Sequence, residues 1–300
     1  MVAIRRFRSA CVLRLVVIAS VFVLPLAAAP LPAELAAKVD ALFANWDRAD
    51  GPGVIVAIAR DGEPAYVKAF GLANLEHRIP LTPETITESG SVAKQFTAAA
   101  VVLLAQRGKL SLEDPVRKWL PELPPELADR ITVRMLLNHT SGLRDIHGLN
   151  DLLGRPSYTA FHDNAEVLRL MSRQRTLNFA PGTEYLYTNS AFILAAVVVE
   201  RAAGRPFAEF CAQEIFAPHG LAHTWNAALD ETAGEWGAVA QEMQRPSRLA
   251  DGRAIEYALG LTVTDELGVR EISHGGATSG YRTFLARFHG ERLSFALLSY

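Results

Sequence analysis

Extended segments lie at both ends of this chain, and a long helical stretch separates them. Residues 53–59 and 65–70 are rich in β-forming side chains, and the turn sequence Asp61-Gly62 separates them, which predicts a hairpin. After residue 250 the sequence returns to short extended runs, at 258–264, 270–273, 282–288 and 293–300. Strands at both ends with helices between them predict one sheet built from both ends of the chain, with a helical insertion.

Apolar residues recur at helical spacing over several stretches of the chain. Residues 34–47 predict an amphipathic helix, and a second helix is predicted to begin at Ser91 and to end near Gly108. Further helices are predicted at 164–173, 189–203 and 207–215.

These elements predict an α/β fold of the α+β type, with an antiparallel sheet flanked by helices and an inserted, mainly helical domain. We predict a sheet domain from residues 31–82 and 250–300, and a helical domain from residues 83–249. The last extended run reaches Tyr300 without a closing helix, which is the pattern expected of a truncated chain.

The first 29 residues predict a secretory signal peptide, because four arginines precede an apolar run at 15–26 and three alanines follow it at 27–29. This run is shorter than the roughly 20 residues that a membrane-spanning helix needs. We therefore expect a secreted or periplasmic protein that meets a membrane only through this segment.

The charge of the remaining chain excludes one class of partner. Without the four arginines, 26 Lys and Arg stand against 32 Asp and Glu, a net charge of −6, so no nucleic-acid partner is expected. Cys11 lies in the predicted signal peptide and Cys211 is alone, so no intramolecular disulfide is available. Cys211 lies in an apolar helical stretch and is expected to be a core residue.

The sequence Ser91-Val92-Ala93-Lys94 places a hydroxyl and an amine one helical turn apart on the same face. A serine becomes a good nucleophile only when a neighbour takes its proton, and a lysine does so only when its pKa is lowered. Alone, this sequence is weak evidence for a catalytic serine, because ordinary surface helices often contain a serine and a lysine at this spacing.

Two further motifs have ordinary structural explanations when each is taken alone. Tyr187-Thr188-Asn189 stands at the start of the helix predicted at 189–203, where a packed tyrosine and an asparagine cap are common. His274-Gly275-Gly276 follows the predicted strand 270–273, where paired glycines usually form a turn or bulge. Glycines also allow close backbone approach, so an N–H group here is a candidate oxyanion donor.

Together, and in this order, the three motifs resemble those of the serine β-lactamase and penicillin-binding protein superfamily, in particular its class C β-lactamase-like branch. The strings at 91–98, 136–143 and 257–261 support the resemblance, which covers about residues 34–300. It implies an active site at the seam between the sheet domain and the helical domain. It also implies that Ser91 is the nucleophile, that Lys94 and Tyr187 shuttle protons, and that Asn189 orients Lys94 and substrate polar groups.

The third motif carries the main departure from the family pattern. The resemblance implies an oxyanion hole formed by the N–H groups of Ser91 and Ala277, beside Gly275 and Gly276. His274 stands where many relatives have lysine, so a permanent cation for a substrate carboxylate is missing. Relatives with histidine here resemble D-amino-acid peptidases, carboxypeptidases and esterases as much as antibiotic-degrading enzymes.

The sequence therefore predicts a serine hydrolase that acts through an acyl-enzyme on amide or ester bonds. Its candidate substrates are D-amino-acid peptides, small esters and β-lactam-like molecules, with weak or no β-lactamase activity. The sequence does not distinguish a carboxypeptidase, an aminopeptidase and an esterase. The alternative is a penicillin-recognising or peptidoglycan-sensing binder with little turnover. The oligomeric state does not follow from the sequence.

Two other enzyme classes are disfavoured. An α/β-hydrolase needs a Gly-x-Ser-x-Gly sequence, which the chain lacks. A metallohydrolase needs converging ligands, and the one close histidine pair, His219 and His223, lies in a predicted loop. The other histidines of the predicted mature chain, apart from His274, are expected to be structural or solvated. We expect no metal and no cofactor.

Overall fold

The computed structural model describes residues 29–155, 163–221, 234–266 and 268–300. The predicted signal peptide, residues 1–29, lies outside the described residues except for Ala29, and His223 lies outside them too. No helix in the described ranges is long and apolar enough to cross a membrane.

Six strands of the described chain form an antiparallel sheet in the order β2-β1-β10-β9-β8-β7. The strands of this sheet are β1 (Val54–Arg60), β2 (Glu63–Phe70), β7 (Thr262–Glu266), β8 (Val269–Thr278), β9 (Tyr281–Phe288) and β10 (Leu293–Ser299). Two short pairs lie outside it, namely β3 (Leu72–Asn74) with β4 (Ile79–Pro80) and β5 (Ser247–Arg248) with β6 (Ala254–Ile255). Val54 pairs with Ser299, so the first and last strands meet in the middle of the sheet.

All the described α-helices except α1 lie in the sequence between β4 and β7. The described α-helices are α1 (Ala33–Phe43), α2 (Lys94–Gln106), α3 (Pro125–Ala128), α4 (Val133–Leu137), α5 (Ile146–Leu152), α6 (Asn164–Met171), α7 (Asn189–Ala203), α8 (Phe207–Cys211) and α9 (Gly234–Met243). The predicted fold class is confirmed: an antiparallel sheet from both chain ends, with helices flanking it and a mainly helical insertion. The domain boundaries given above stay a prediction.

Helix α2 occupies the centre of the molecule. Its residues from Ala98 to Leu104 are at most 3% exposed, so the helix is apolar on every side, as expected of a fully buried helix. It packs on α7 and α9 and lies in one core cluster with Ile272 of β8. Alanines at 98, 99 and 100 leave room for this close packing, and the N-terminus of α2 is thereby fixed against the sheet.

Helix α1 covers the opposite face of the sheet. Its Phe43 stacks on Phe70 of β2 with ring centroids 5.7 Å apart, and Val54 and Val56 lie in the same small cluster. The register of the strands places Val56 and Ile272 on opposite faces. Helix α1 and the helical core therefore lie on opposite faces of the sheet, and the amphipathic helix predicted at 34–47 is present as α1.

The structure differs from the sequence-based expectations at two strands. The run predicted at 258–264 forms a strand only from Thr262 onward. Strand β8 continues through His274, Gly275 and Gly276 to Thr278, whereas these glycines were expected to follow the strand as a turn or bulge. Glycine has a low intrinsic strand preference, but pairing with β9 on one side and tertiary contact on one face override it here.

Candidate functional site

Ser91 lies in a short 3₁₀ helix, Gly90–Ala93, that leads directly into α2. Lys94 is the first residue of α2, and its Nζ lies 3.1 Å from Ser91 Oγ. The i, i+3 spacing thus brings the two groups together as expected, although the turn is tighter than an α-helical one. The buried position of α2 fixes both residues relative to the sheet.

The second motif approaches Lys94 from the start of α7. Asn189 Oδ1 accepts a hydrogen bond of 2.8 Å from Lys94 Nζ. The Tyr187 ring lies under the amine, with Nζ 4.8 Å from the ring centroid. The structure therefore brings Ser91, Lys94, Tyr187 and Asn189 into one cluster, although 95 positions separate Lys94 from Asn189.

Burial sets the proton affinities of this cluster. Lys94 is only 9% exposed, and burial lowers the pKa of its amine to about 8, although the charge of Asp145 acts in the opposite direction. Burial also raises the pKa of Tyr187 to about 12. The Tyr187 hydroxyl makes no hydrogen bond of normal geometry within the described residues, yet the nearby Ser91 hydroxyl acts to lower that pKa. About a tenth of Lys94 is therefore neutral at pH 7 and more above it, while the tyrosine keeps its proton.

His139 forms the back wall of the cluster. It is fully buried, and its ring lies 4.2 Å from that of Tyr187, centroid to centroid. Its Nδ1 accepts a hydrogen bond of 3.2 Å from the Thr188 N–H, and its carbonyl accepts one from the Leu186 N–H. Burial lowers the pKa of His139 to about 2, so the ring is neutral. This histidine fixes the Tyr187 segment in place, in agreement with the structural role expected for it.

Strand β8 brings the third motif against the Ser91 turn. A Cβ on Gly276 would lie 2.3 Å from the Ser89 carbonyl oxygen and 3.2 Å from the Ser91 nitrogen, so only glycine fits there. A Cβ on Gly90 would lie 2.8 Å from the Ala277 nitrogen. Thr283 of β9 secures the junction by donating a hydrogen bond of 2.7 Å to Ser89 O. The N–H groups expected to form the oxyanion hole thus lie on two closely apposed segments.

His274 is buried and faces Tyr257 instead of solvent. Its Nδ1 lies against the carbonyl oxygen of Gly275, which can only accept, so Nδ1 carries the proton and Nε2 accepts from Tyr257 Oη at 2.8 Å. Burial lowers the pKa of His274 to about 4. The ring is therefore neutral near pH 7. The sequence alone predicted a partly charged histidine at this position, and burial removes that remaining charge.

Two residues of the cluster escaped the sequence analysis. Asp145 accepts hydrogen bonds from both the backbone N–H and the side-chain amide of Asn189. The Tyr257 hydroxyl donates a hydrogen bond to the His274 ring. The family-like strings at 136–143 and 257–261 lie in these parts of the chain. The first ends two residues before Asp145, and neither string shows which of its side chains faces the site.

The remaining candidate groups lie apart from this cluster. Cys211 is buried, and its burial raises its thiol pKa to about 12, so the expected core position is confirmed. His219 lies in a 3₁₀ turn, Ala217–His219, against Trp236. The described ranges hold no group of three His, Cys, Asp or Glu side chains that could bind a metal ion.

Comparison of the sequence with known protein families identifies the family to which this chain belongs. Residues 39–234 match the Beta-lactamase family, which is more than half of the chain. This protein belongs to the Beta-lactamase family. The resemblance to serine β-lactamases and penicillin-binding proteins inferred from the three motifs is thereby confirmed.

Curated relatives in this family include D-aminopeptidases. The chain is 30% identical to the D-aminopeptidase of Gluconobacter oxydans (strain 621H) over 89% of its own length and 58% of the relative's. It is 29% identical to the D-aminopeptidase of Brucella anthropi, over 81% of its own length and 55% of the relative's. The chain therefore spans less than two thirds of these relatives.

Solved structures share the fold. A penicillin-binding protein homologue from Pyrococcus abyssi, described as octameric, superposes with a TM-score of 0.72 at 21% identity, covering 88% of this chain and 72% of that one. A D-amino acid amidase from Ochrobactrum anthropi SV3 superposes with a TM-score of 0.70 at 21% identity, covering 89% and 91%. These likenesses show that this chain shares its fold with both proteins over 88% and 89% of its length.

Proposed function

We propose that this protein is a serine hydrolase that cleaves amide bonds of D-amino-acid substrates through an acyl-enzyme on Ser91. The observation that carries the proposal is the 3.1 Å contact between Ser91 Oγ and the Lys94 amine, whose pKa burial lowers to about 8. A hydroxyl beside a partly neutral, buried amine has the base it needs to become a nucleophile.

In the proposed mechanism, Ser91 Oγ attacks the substrate carbonyl carbon while its proton passes to neutral Lys94. The carbonyl oxygen becomes an oxyanion, which the N–H groups of Ser91 and Ala277 stabilise. When the C–N bond breaks, Tyr187, which its high pKa keeps protonated, donates its proton to the leaving amine and regains one from the Lys94 ammonium, so Lys94 is neutral again. Water then repeats the path, releasing the acid and regenerating Ser91. Asn189 keeps the Lys94 amine directed toward Ser91 throughout.

Two observations support the substrate class. Curated relatives are D-aminopeptidases, and a structural neighbour is a D-amino acid amidase. In addition, His274 is neutral and bonded to Tyr257, so this position offers no lysine-like cation to a substrate carboxylate. Together they favour an aminopeptidase or amidase over a carboxypeptidase or an efficient β-lactamase.

The predicted signal sequence supports action outside the cytoplasm. We propose a secreted or periplasmic location, because the order of arginines, apolar run and small residues in positions 1–29 is that of an export signal. Sequencing the N-terminus of protein recovered from the culture medium and periplasm tests this, and recovery only from the cytoplasm with residues 1–29 intact contradicts it.

The decisive test compares the wild type with Ser91→Ala. We expect fluorophosphonate to add covalently to Ser91 of the wild type, and we expect D-alanine p-nitroanilide to be hydrolysed much faster than its L-enantiomer. Ser91→Ala should lose both reactions and keep its circular dichroism spectrum. Intact-mass measurement followed by peptide mapping locates the adduct.

The control is Ser172→Ala, which removes a hydroxyl at the end of α6 that donates a hydrogen bond to the Arg169 carbonyl. It should label and turn over as the wild type does. Full activity of Ser91→Ala contradicts the proposal. A stable penicillin adduct on the wild type without turnover of any amide favours the penicillin-recognising binder instead.

A further inference from the structure

Asp145 links the starts of two helices beside the candidate site. It is the N-cap residue of α5, where its Oδ1 accepts a hydrogen bond of 3.0 Å from the His147 N–H. Its other oxygen, Oδ2, accepts from the backbone N–H of Asn189 and, at 3.3 Å, from the Asn189 side-chain Nδ2. One carboxylate therefore holds the first residue of α7 through two donors.

These contacts determine which way the Asn189 amide points. An asparagine side chain can present either its oxygen or its NH₂ group to a neighbour. Because a carboxylate only accepts, the NH₂ group must face Asp145, and Oδ1 must then face Lys94. The observed distance of 2.8 Å between Oδ1 and Lys94 Nζ agrees with this orientation. The opposite orientation would direct N–H groups at the amine, which repels its protonated form and takes away the oxygen to which it donates.

Asp145 also supplies negative charge near Lys94. The titratable groups that face the amine from the surrounding elements are Tyr187, His139, His274 and Asp145. Burial favours the neutral form of the tyrosine and both histidines, whereas the Asp145 charge favours the protonated form of Lys94.

We propose that Asp145 is a positioning residue that fixes the orientation of the Asn189 amide and so keeps the Lys94 amine directed at Ser91. The proposal rests on the proposed function, because it assigns a role within the same serine chemistry. Asp145 does not touch the reacting atoms. It acts through Asn189 by geometry and on Lys94 by charge.

The test measures how fast fluorophosphonate modifies Ser91 as a function of pH, so that no natural substrate has to be known. The variants are Asp145→Asn and Asp145→Ser, which remove the charge but keep a side chain able to cap α5. We expect the wild-type rate to rise with pH about a midpoint near the Lys94 pKa of about 8. In both variants the midpoint should move to lower pH, by roughly half a unit or more, because the opposing charge has gone.

The maximal rate should also fall, by roughly tenfold or more, because the amine is no longer aligned with Ser91. The matched control is Asp163→Asn, which changes another aspartate N-cap, at α6, whose Oδ1 accepts from the Glu166 N–H at 2.7 Å. This control should keep the wild-type midpoint and maximal rate. A merely structural role for Asp145 would lower the amount of folded protein without moving the midpoint.

Each outcome has a definite meaning. An unchanged midpoint and maximal rate in folded Asp145→Asn or Asp145→Ser overturns the proposal. Loss of the native circular dichroism spectrum in both variants overturns it as well, because a positioning residue leaves the fold intact. Labelling of Ser91→Ala at the wild-type rate overturns the proposed function instead, whatever the Asp145 variants do.

Discussion

The proton affinity of Lys94 is the residue-scale property on which the proposed chemistry depends. The amine is buried by the helices around it, and its hydrogen-bond partners are a hydroxyl and an amide oxygen, neither of which carries charge. Desolvation disfavours the ammonium form, and a single nearby carboxylate offsets only part of that effect. In the proposed mechanism, the site thus obtains a base from a residue that is normally cationic.

This property predicts a pH dependence with a definite sign. Because Lys94 must be neutral to accept the Ser91 proton, kcat/KM should be low in acid and should rise through a midpoint near pH 8. The measurement is hydrolysis of D-alanine p-nitroanilide across that range. Lys94→Met should abolish the reaction while remaining folded. A rate that falls as pH rises through 8 would contradict the assignment of Lys94 as the base.

Sequence and structure agree at this scale where the contact is local. The i, i+3 spacing of Ser91 and Lys94 was enough to predict that the hydroxyl and the amine meet, because helical geometry alone determines it. Asp145 was not predicted, because its contact with Asn189 spans 44 positions and depends on how α5 and α7 pack. Spacing along a chain carries no information about such a pair.

At the scale of elements, the junction between β8 and the Ser91 turn determines whether the oxyanion donors can assemble. Two backbones approach so closely there that a side chain on Gly276 would overlap its neighbours. The three-motif pattern predicted that these glycines lie near the site. It did not predict that they continue a strand, because glycine pairs ordinarily interrupt strands and the constraint comes from a distant segment.

The junction yields a prediction with a control at the adjacent residue. In Gly276→Ala the methyl group would lie 2.1 Å from Thr283 Oγ1 and 2.3 Å from Ser89 O, so the turn must move away from β8. We expect kcat/KM to fall by roughly a hundredfold, as expected for a displacement of about 1 Å in a catalytic group. The melting temperature should also fall.

Gly275→Ala is the matched control, because its methyl group would point to the other face and meet nothing closer than 3.9 Å. Its activity and melting temperature should stay near those of the wild type. Equal losses in both variants would show that general weakening of the strand, and not the close approach, is responsible.

At the scale of the whole molecule, α1 packs on one face of a sheet whose strands come from both ends of the chain. The amphipathic pattern at 34–47 predicted the helix, and the extended runs at both ends predicted the sheet. The face on which α1 docks was not predictable, because both faces of β1 carry apolar side chains: Val54 and Val56 on one, Ile55 on the other.

Replacing Phe43 tests how much α1 contributes to stability. Phe43→Ala removes the ring that stacks on Phe70, and we expect the free energy of unfolding to fall by roughly 2–3 kcal/mol, less than for a fully buried phenylalanine. Urea unfolding measures this change. Leu42→Ala, one position away and 76% exposed, should change stability very little. Equal effects of the two substitutions would contradict the described docking of α1.

The pairing of β1 with β10 has a consequence for how the chain acquires its structure during synthesis. Val54 finds its partner only when Ser299 has left the ribosome. Synthesis proceeds at about 5–20 residues per second, so the β1 edge of the β1–β2 hairpin stays unpaired for many seconds. An unpaired strand edge can pair with another chain. The helical core, by contrast, forms from contacts nearer in sequence, which close faster. Aggregation is therefore favoured throughout the interval between the synthesis of β1 and that of β10, and a chaperone that shields the edge of β1 during that interval would raise the yield of native protein.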